Sequence, residues 1–554
     1  MARDDQSIGW QQHLIVCGLG HVGERVYSLL AALGEHVVVI NDISPLFWQE
    51  METGQNSQLV LGDARNDRIL QQAGIGTARA ILIVTGNDMT NVSIAADARK
   101  LNPNIRIVMR MFDQELADHL EPALGIDRVF STSALAAPGF VAAALGEATH
   151  GSFATGKVMQ VIESLVWQPN PKTETAGEWQ TRTGLPLMAC QREADWHFDL
   201  PSAQPLQAGD RLFFLRQTDP AKADTSPRRP RMLPAFWSGL KQWWRDIPAV
   251  MQTLLVVLLA IVAFSVFLFQ HTMGLPLADA IYFVATIITT VGFGDYNFMN
   301  ASPALKLYGA FLMFCGAAIL ATLFSIMTDL ILNLRLQDIL TRGSAHLRGH
   351  IVVAGLGSIG FRVMRELARR GETVVAIERE ANGRFLEPAR AWGPVIVGNA
   401  RLPETLRKAG AAGAKAVLAI TDDDVANLGI GLAARNARPD SRVVLRLFDA
   451  NLAEKLPASL GVQAALSVSK VAAPAMVASA LGPDHVHGVQ LGDDFIVFTK
   501  GKGAPAAPAE SRRLLCGRRR GSATFAPILP GQPPADIEEW IEVRRHKLSP
   551  TPPC

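Results

Sequence analysis

The chain has 554 residues, which is too many for one ordinary core and predicts three or four domains. Charged residues make up only 19% of the sequence, below the roughly 25% of a typical soluble domain, so membrane segments are expected. The formal net charge of +2 excludes the strongly basic character that bulk nucleic-acid affinity requires, and we expect no nucleic-acid partner.

The first predicted domain opens with the strand-like run "LIVCG", which is followed by the helical pattern "VGERVYSLLAAL". Alternation of short apolar strands with amphipathic helices predicts a parallel, doubly wound α/β sheet of the Rossmann-like class. The motif G-x-G-x-x-G at Gly18, Gly20 and Gly23 follows the first strand. Glycines there allow a tight turn and bring a pyrophosphate close to the helix N-terminus. We assign residues 1–148 to this domain.

A linker with a short surface helix is expected over residues 219–246. The stretch "AFWSGLKQWWRDI" places Phe236, Leu240, Trp243 and Ile247 at helical spacing, with two basic side chains off that stripe. Such a pattern is typical of a helix lying at a membrane surface, and a plain linker is the alternative.

Two uncharged runs, residues 247–270 and 307–328, are candidates for membrane-spanning helices. A helix of 24 residues rises about 36 Å, which is enough to cross a hydrocarbon core of about 30 Å. Between them, residues 276–288 are apolar but too few to span, so a re-entrant half-helix is predicted. We assign residues 247–335 to this pore module.

The stretch "TTVGFGD" follows the half-helix. Irregular backbone at membrane depth persists only where it lines a water-filled path or is buried in protein. Gly292 and Gly294 permit backbone conformations that point successive carbonyl groups one way, and rings of such carbonyls can replace the water around a potassium ion. One chain supplies one strand of oxygens, so several chains must surround an axis.

"TTVGFGD" resembles the selectivity filter of potassium channels, and span, pore helix, filter and span together resemble their two-span pore module. The resemblance implies a homotetramer in a lipid bilayer with potassium ions in the filter. It places Gly316 at a gating hinge, although small-residue helix packing competes for that role. The filter residues implied are Thr289, Thr290, Val291, Gly292, Phe293, Gly294 and Asp295.

Flanking charges predict the orientation in the cell (inner) membrane. Several arginines and lysines precede the first span or follow the second, whereas the loop between the spans offers only Lys306 and His271. The positive-inside rule then places both termini in the cytoplasm. The basic residues outside the spans are Arg228, Arg229, Arg231, Lys241, Arg245, Arg335, Arg342 and Arg348.

The first domain recurs after the pore. The 28 residues from 350, "HIVVAGLGSIGFRVMRELARRGETVVAI", are identical at 15 positions to those from 13, "HLIVCGLGHVGERVYSLLAALGEHVVVI". This internal duplication predicts a second Rossmann-like domain over residues 350–484. Its glycine motif is Gly355, Gly357 and Gly360.

Further nucleotide-binding candidates follow the second and third strands of each copy. Glu378 ends the second strand of the second copy, where a carboxylate can accept hydrogen bonds from ribose hydroxyls. The aligned residue in the first copy is Asn41, which lacks that charge. A scaffold that keeps the glycine turn without a ligand is the alternative for each copy. The remaining candidates are Asp42, Asp63, Arg65, Asn399 and Arg401.

Residues 13–145 and 350–482 resemble the RCK domain, also called the KTN or TrkA-N domain. The resemblance implies control of potassium channels or transporters through NAD, ADP, ATP or a divalent cation, with eight domains forming a ring. It also implies a small β-rich companion lobe at 149–218. We expect a linker at 336–349, and a degenerate lobe with a mostly disordered tail at 485–554.

Three other groups of polar residues have alternative interpretations. Asp422, Asp423 and Asp424 could bind a divalent cation, but acids capping a helix N-terminus are favoured. His485 and His487 are interpreted as surface histidines, so no metal ligand set is identified. The arginine-rich stretch 512–520 is interpreted as a solvated tail rather than a lipid contact.

The sequence therefore predicts a potassium-selective channel subunit gated by ligand binding to its cytoplasmic domains, and not an enzyme, since no catalytic triad or dyad is recognisable. One alternative is a non-conducting, NAD-binding regulatory subunit of a potassium transporter. A membrane-tethered oxidoreductase is the other.

Overall fold

The structure is a computed structural model, and its backbone contacts divide the chain into two compact units. One unit combines Met1–Arg228 with Gly343–Cys554, and the other is Arg229–Arg342. The residues that the structure describes are 10–44, 48, 56–112, 114–155, 158–169, 174–193, 195–198, 200–218, 249–333, 347–449, 452–453, 462–503, 512–519, 525–528 and 537–549.

The first copy is a six-stranded parallel sheet of order β3-β2-β1-β4-β5-β6. Its inner strands are buried along their length because helices cover both faces, as expected for a doubly wound sheet. The elements are β1 (Leu14–Cys17), α1 (His21–Ala32), β2 (Val37–Asn41), β3 (Ser57–Leu61), α2 (Asp67–Gln72), β4 (Ala80–Ile83), α3 (Asp88–Leu101), β5 (Arg106–Met111), α4 (Gln114–Ala123), β6 (Arg128–Ser131) and α5 (Thr132–Leu145).

The first small lobe is a five-stranded antiparallel sheet of order β10-β9-β11-β8-β7. Its helix begins with a capping box, in which the Thr175 and Glu178 side chains satisfy each other's backbone amides. The elements are β7 (Ala148–Thr155), β8 (Val158–Val166), α6 (Ala176–Thr183), β9 (Leu187–Arg192), β10 (Asp195–His197) and β11 (Arg211–Thr218).

The second unit contains three helices, α7 (Ala249–Met273), α8 (Leu277–Ile288) and α9 (Pro303–Asn333). Within α7 and α9, Val256–Met273 and Pro303–Thr322 are long and apolar enough to cross a membrane. The shorter α8 packs between them, with Phe283 and Val284 in the shared core. The predicted surface helix before α7 lies outside the described residues.

The second copy repeats the first with order β14-β13-β12-β15-β16-β17, again parallel throughout. A one-turn 3₁₀ helix at Ala411–Gly413 precedes its fourth strand. The elements are β12 (Ile351–Ala354), α10 (Ser358–Arg369), β13 (Val374–Glu378), α11 (Leu386–Ala389), β14 (Val395–Val397), α12 (Pro403–Lys408), β15 (Ala416–Ala419), α13 (Asp424–Ala437), β16 (Arg442–Arg446), β17 (Ala464–Leu466) and α14 (Val468–Leu481).

The region after 485 forms a second five-stranded sheet of order β18-β19-β22-β20-β21. The expectation of a mostly disordered tail is therefore wrong for its described residues. Its apolar side chains, such as Phe498 and Leu515, share one core with Phe153 and Phe213 of the first lobe. The strands are β18 (His485–Leu491), β19 (Asp494–Lys502), β20 (Arg512–Arg519), β21 (Ala526–Pro527) and β22 (Ile537–Lys547).

Two other expectations for this region are also wrong. His487 is not on the surface: it is 1% exposed, with its ring stacked on Phe153 of the first lobe at 5.2 Å between centroids. Arg518 does not belong to a solvated tail, because it lies in β20 and pairs with Glu539 on β22. Partners far along the chain account for both differences, and short-range patterns do not reveal them.

The two copies exchange their last helices. Helix α5 of the first copy packs on α10 and the second sheet, while α14 of the second copy packs on α1 and the first sheet. Matching arginines face the C-terminal ends of the exchanged helices: Arg106 Nε donates to Ser479 O of α14, and Arg442 lies against Gly146, the C-cap of α5. A positive charge near a helix C-terminus is favourable. Each copy thus completes the core of the other.

Candidate functional site

The turn after α8 has an alternating backbone. Thr290, Gly292 and Gly294 have φ of 60°, 51° and 85°, whereas Val291 and Phe293 between them are not in the positive region. Alternation of this kind turns successive peptide groups to one side of the chain. Thr290 is β-branched, so its positive φ is unfavourable and must be imposed by its surroundings. Strained backbone of this sort is concentrated at functional sites.

Hydrogen bonds to the end of α8 hold the turn. The amides of Val291 and Gly292 both donate to Thr286 O, at 3.1 and 3.3 Å, and the Thr290 amide donates to Ile287 O at 3.2 Å. These hydrogen bonds satisfy carbonyl groups in the last turn of α8. The C-terminal end of a helix carries a partial negative charge, which favours a nearby cation.

Two tyrosine–aspartate hydrogen bonds connect the first half of α8 with the end of the turn. The side chain of Tyr282 bonds that of Asp295, and Tyr296 bonds Asp279. The two tyrosine rings lie edge to face, 6.4 Å apart. The turn is therefore braced at both ends, yet Val291 and Phe293 remain 54% and 73% exposed in the single chain.

Close packing accounts for the glycine at 316. A Cβ there would lie 3.1 Å from the Cα of Ile288, at the last turn of α8. At Gly309 a Cβ would lie 2.6 Å from the ring of Phe298. Both glycines let α9 approach its neighbours, so the hinge role of Gly316 stays a prediction.

The first glycine loop has the geometry of a phosphate-binding turn. A Cβ on Gly23 would lie 1.9 Å from Gly18 O, so only glycine fits, whereas Gly20 at the N-cap of α1 faces open space. The Leu19 amide donates to Asn41 Oδ1 at 3.0 Å. A cavity of about 320 Å³ opens beside the loop, lined among others by Gly18, Gly20, Asn41, Asp42, Asp63 and Thr85.

The second loop repeats this geometry. A Cβ on Gly360 would lie 1.8 Å from Gly355 O, and Gly357 at the N-cap of α10 is open. Glu378 accepts from the amides of Leu356 and Glu380, at 2.8 and 3.0 Å. In both copies, the side chain of the residue that ends the second strand, Asn41 or Glu378, accepts a hydrogen bond from a backbone amide of the glycine loop. This contact is additional to the ribose contact that the sequence predicts for Glu378.

The residues after the third strand form matching turns. Asp63 Oδ1 and Asn399 Oδ1 accept the amides of Arg65 and Arg401 at 2.9 and 3.0 Å. Only the first copy adds an ion pair, with Arg65 Nη2 at 2.7 Å from Asp63 Oδ2. Hydrogen bonds from Arg65 lower the pKa of the exposed Asp63 carboxyl.

The acidic run 422–424 caps a helix, as the favoured interpretation predicts. Asp423 accepts the amides of Val425 and Ala426 at 2.8 and 3.1 Å, and Asp424 accepts the amide of Phe448. Among the described residues, no group of three or more His, Cys, Asp or Glu side chains could hold a metal ion.

Sequence reasoning missed the surface that the two copies share beside the first loop. His21, the first residue of α1, stacks on Phe448 of the second copy, with ring centroids 4.8 Å apart. Arg446 lies over the same ring at 4.6 Å, and Arg110 lies over Phe112 at 4.4 Å in the matching position. The recurrence of "RMFD" and "RLFD" was the available signal.

Comparison with known families agrees with this architecture. The TrkA-N domain family matches residues 14–132 and 351–468, and the ion channel family matches residues 253–333. The two candidate spans lie in the ion channel match, which indicates that the chain is a membrane protein.

Curated relatives match in part. The chain is 34% identical over 116 residues to potassium channel protein 1 of Methanocaldococcus jannaschii, which is 21% of this chain and 34% of that protein. It is 27% identical over 107 residues to the voltage-gated potassium channel Kch of Escherichia coli, 19% of this chain and 26% of that protein. A Trk system potassium uptake protein TrkA homolog of Pyrococcus horikoshii is 29% identical over 101 residues, 18% of this chain and 44% of that protein. The chain spans about a third or less of the first curated relatives it matches.

Solved structures show the same fold over nearly the whole chain. The GsuK channel aligns with a TM-score of 0.52 at 14% identity, covering 97% of this chain and 77% of that one. The GsuK RCK domain aligns with a TM-score of 0.51 at 14% identity, covering 97% and 92%. The chain therefore carries two TrkA-N domains, one on each side of a two-helix ion channel domain.

Proposed function

We propose that the chain is the subunit of a homotetrameric, potassium-selective channel that is gated by a nucleotide bound to its TrkA-N domains. The observation that carries this proposal is the alternating backbone of Thr290, Gly292 and Gly294, at the end of a helix too short to span a membrane. The filter comprises Thr289–Asp295, and potassium is the ion that it dehydrates.

Exposure of the turn supports assembly around an axis. Val291 and Phe293 are exposed in one chain although they belong to a membrane module, and other copies of the turn would cover them. Four such turns form rings of carbonyl oxygens that replace the hydration shell of the ion.

The proposed regulatory ligand is NAD or an adenine nucleotide. The open cavity beside Gly18 and Gly20 has a helix N-terminus for the phosphates and polar side chains after neighbouring strands. The GsuK channel bound to NAD is a solved structure of the same fold, at a TM-score of 0.50 and 15% identity. We propose both glycine loops as sites, with Glu378 and Asn41 holding them. A divalent cation is a further candidate ligand, although it has no assigned residues.

Gating follows from differential affinity. A nucleotide shifts the pore only if it binds one arrangement of the two copies more tightly than another. The exchanged helices α5 and α14 make each copy part of the core of the other, so a change at one loop alters the packing of both. The proposed membrane is the inner membrane, with both termini in the cytoplasm.

Potassium flux into proteoliposomes tests the proposal. The purified chain should conduct potassium in preference to sodium, and Gly292→Asp should abolish flux because a side chain at φ 51° disrupts the carbonyl rings. Gly274→Asp is the matched control: it also has positive φ and open space, lies between α7 and α8, and should conduct normally. Wild-type flux equal to that of empty liposomes would refute conduction.

The second candidate is a non-conducting regulatory subunit of a potassium transporter. The match to a TrkA homolog of a potassium uptake system favours it. An absence of flux together with intact nucleotide binding would select this function. Neither candidate function includes an enzymatic activity. Oxidation of a substrate by the purified chain with NAD would support the third possibility, a membrane-tethered oxidoreductase.

A further inference from the structure

The second small lobe, which comprises β18–β22, contacts the helix that begins at the first glycine loop. Arg25, the fifth residue of α1, donates from Nη2 to Gln490 Oε1 on β18 at 2.6 Å. Both side chains are half-buried, so the hydrogen bond is less weakened by solvent than one on the open surface. Since the donor is charged, the bond is of the stronger, charge-assisted kind. The middle of α1 is therefore bonded to a strand that lies 465 positions later in the chain.

The same lobe caps the C-terminal end of α1. The last four carbonyl groups of a helix have no partner within the helix. In α1 the first three of these accept amides from residues just after the helix, whereas Ala32 O accepts the amide of Ser549 at 3.0 Å. Leu548, the residue before Ser549, packs against the core of the first copy. The chain beyond β22 thus completes the hydrogen bonding of the helix.

One turn of the second lobe positions both contacts. It is the β18–β19 turn, Gly492–Asp493. Gln490 Nε2 donates to Gly492 O at 3.2 Å, and the Leu548 amide donates to Asp493 O at 2.9 Å. The first hydrogen bond orients the side-chain amide that meets α1, and the second positions the backbone just before the capping amide.

The β18–β19 turn also contacts the first lobe. A Cβ on Gly492 would lie 2.5 Å from Nε1 of Trp196, so glycine is needed there for the indole on β10 to pack on the turn. Gly492 has a φ of 60°, which also favours glycine. Trp196 packs against the core that the two lobes share, and the first lobe precedes the ion channel domain in the chain. Contacts therefore continue from α1 through the turn to the first lobe.

We propose that the β18–β19 turn, with Gln490 and Ser549, couples a nucleotide in the first glycine loop to the pair of small lobes. This coupling rests on the proposed function, which supplies the nucleotide. Phosphates at the N-terminus of α1 act on a helix of 12 residues, about 18 Å long, that the second lobe holds at its middle and at its C-terminal end. A packed helix moves as one body, so a shift at one end changes the contacts at the other. Gln490 and Ser549 are positioning residues, because they reach the loop only through α1.

Hydrogen–deuterium exchange of the purified full-length protein, with and without ADP or NAD, tests the coupling. In the wild type the nucleotide should slow exchange of the β18 and β22 amides at least about fivefold, the lower end of typical coupling between sites. Ser549→Pro removes the amide that donates to Ala32 O, and Gln490→Met removes the acceptor of Arg25, so each variant should lose most of this effect. Ser549→Ala keeps the amide, and as the matched control it should behave as the wild type.

Calorimetric titration of the same proteins provides the second measurement. A coupling free energy is reciprocal, so Ser549→Pro and Gln490→Met should bind the nucleotide about fivefold more weakly than Ser549→Ala. A structural role alone would lower the melting temperature of Ser549→Pro but leave the nucleotide effect on β18 and β22 intact, and that result would refute the inference.

The two measurements also separate this inference from the proposed function. Nucleotide binding without slower exchange in the second lobe of the wild type would refute the coupling alone. A wild type that binds neither ADP nor NAD would refute the proposed ligand, and the coupling with it.

Discussion

Substitutions at Gly20 and Gly23, the second and third glycines of the first loop, should separate folding from ligand binding. In Gly23→Ala the new Cβ would lie 1.9 Å from Gly18 O, more than 1 Å inside the 3.0 Å limit of real contacts. A backbone atom cannot move aside as a side-chain tip does, so we expect a cost of about 3 kcal/mol, at the upper end for overpacking. Gly23 belongs to a compact unit of about 440 residues, and at an unfolding entropy of about 2.1 cal/mol/K per residue this cost corresponds to a melting temperature lower by about 3 °C.

Gly20→Ala is the matched variant. Gly20 has no atom within 4 Å of an added Cβ, and its φ of −73° suits alanine, so stability should fall by less than about 1 kcal/mol. The Cβ would instead occupy the place where a pyrophosphate approaches α1, and nucleotide affinity should fall at least about tenfold. Differential scanning fluorimetry and calorimetric titration measure the two effects. Equal stability of both variants would refute the packing argument, and unchanged nucleotide affinity in Gly20→Ala would refute the assigned site. Gly357→Ala repeats the binding test in the second copy.

Two more predictions concern the small lobes and the pore. Burial lowers the pKa of His487 to about 4, so its neutral form stabilises the fold above about pH 6.5 and that stability is lost as the pH falls toward 4. At pH 5 the free energy of unfolding should be lower by about 2 kcal/mol than at pH 7.5. The melting temperature, measured from pH 7.5 to 5, should therefore fall less in His487→Phe than in the wild type. An equal fall in both proteins would contradict the assignment. Tyr282→Phe removes the hydrogen bond to Asp295, so single-channel recordings should show shorter openings or weaker selectivity than Tyr308→Phe, whose partner Ser265 lies away from the turn. Identical behaviour of the two would show that the brace is dispensable.

Much of the fold could be read from local patterns. The glycine motif between an apolar strand and an amphipathic helix predicts the parallel sheet, because the turn and the buried strand both have short-range signatures. The duplication then extends the prediction to the second copy. The proposed filter likewise depends on a contiguous stretch, and the alternation of φ at Thr290, Gly292 and Gly294 occurs within it.

What the sequence hid depends on distant partners. The stretch "RRLLCGRR" looks like a charged tail, but β22 supplies glutamates for its Arg518 and the first lobe covers its apolar face. The exchanged helix "TSALAAPGFVAAAL" is apolar on nearly all sides, which predicts that it is buried on all sides. This pattern does not predict which sheet the helix packs on, and in the structure it is the sheet of the second copy. The contact of His21 with Phe448 joins residues more than 400 positions apart.

The placement of the pore segment in the chain has a mechanical consequence. The segment Arg229–Arg342 is inserted in the chain between the two halves of one compact unit. The two halves pack into a single unit because they exchange helices α5 and α14. The chain therefore has two covalent connections between its ion channel domain and one compact body. Cutting the polypeptide at either connection would therefore leave the two halves packed together, with one remaining connection to the ion channel domain.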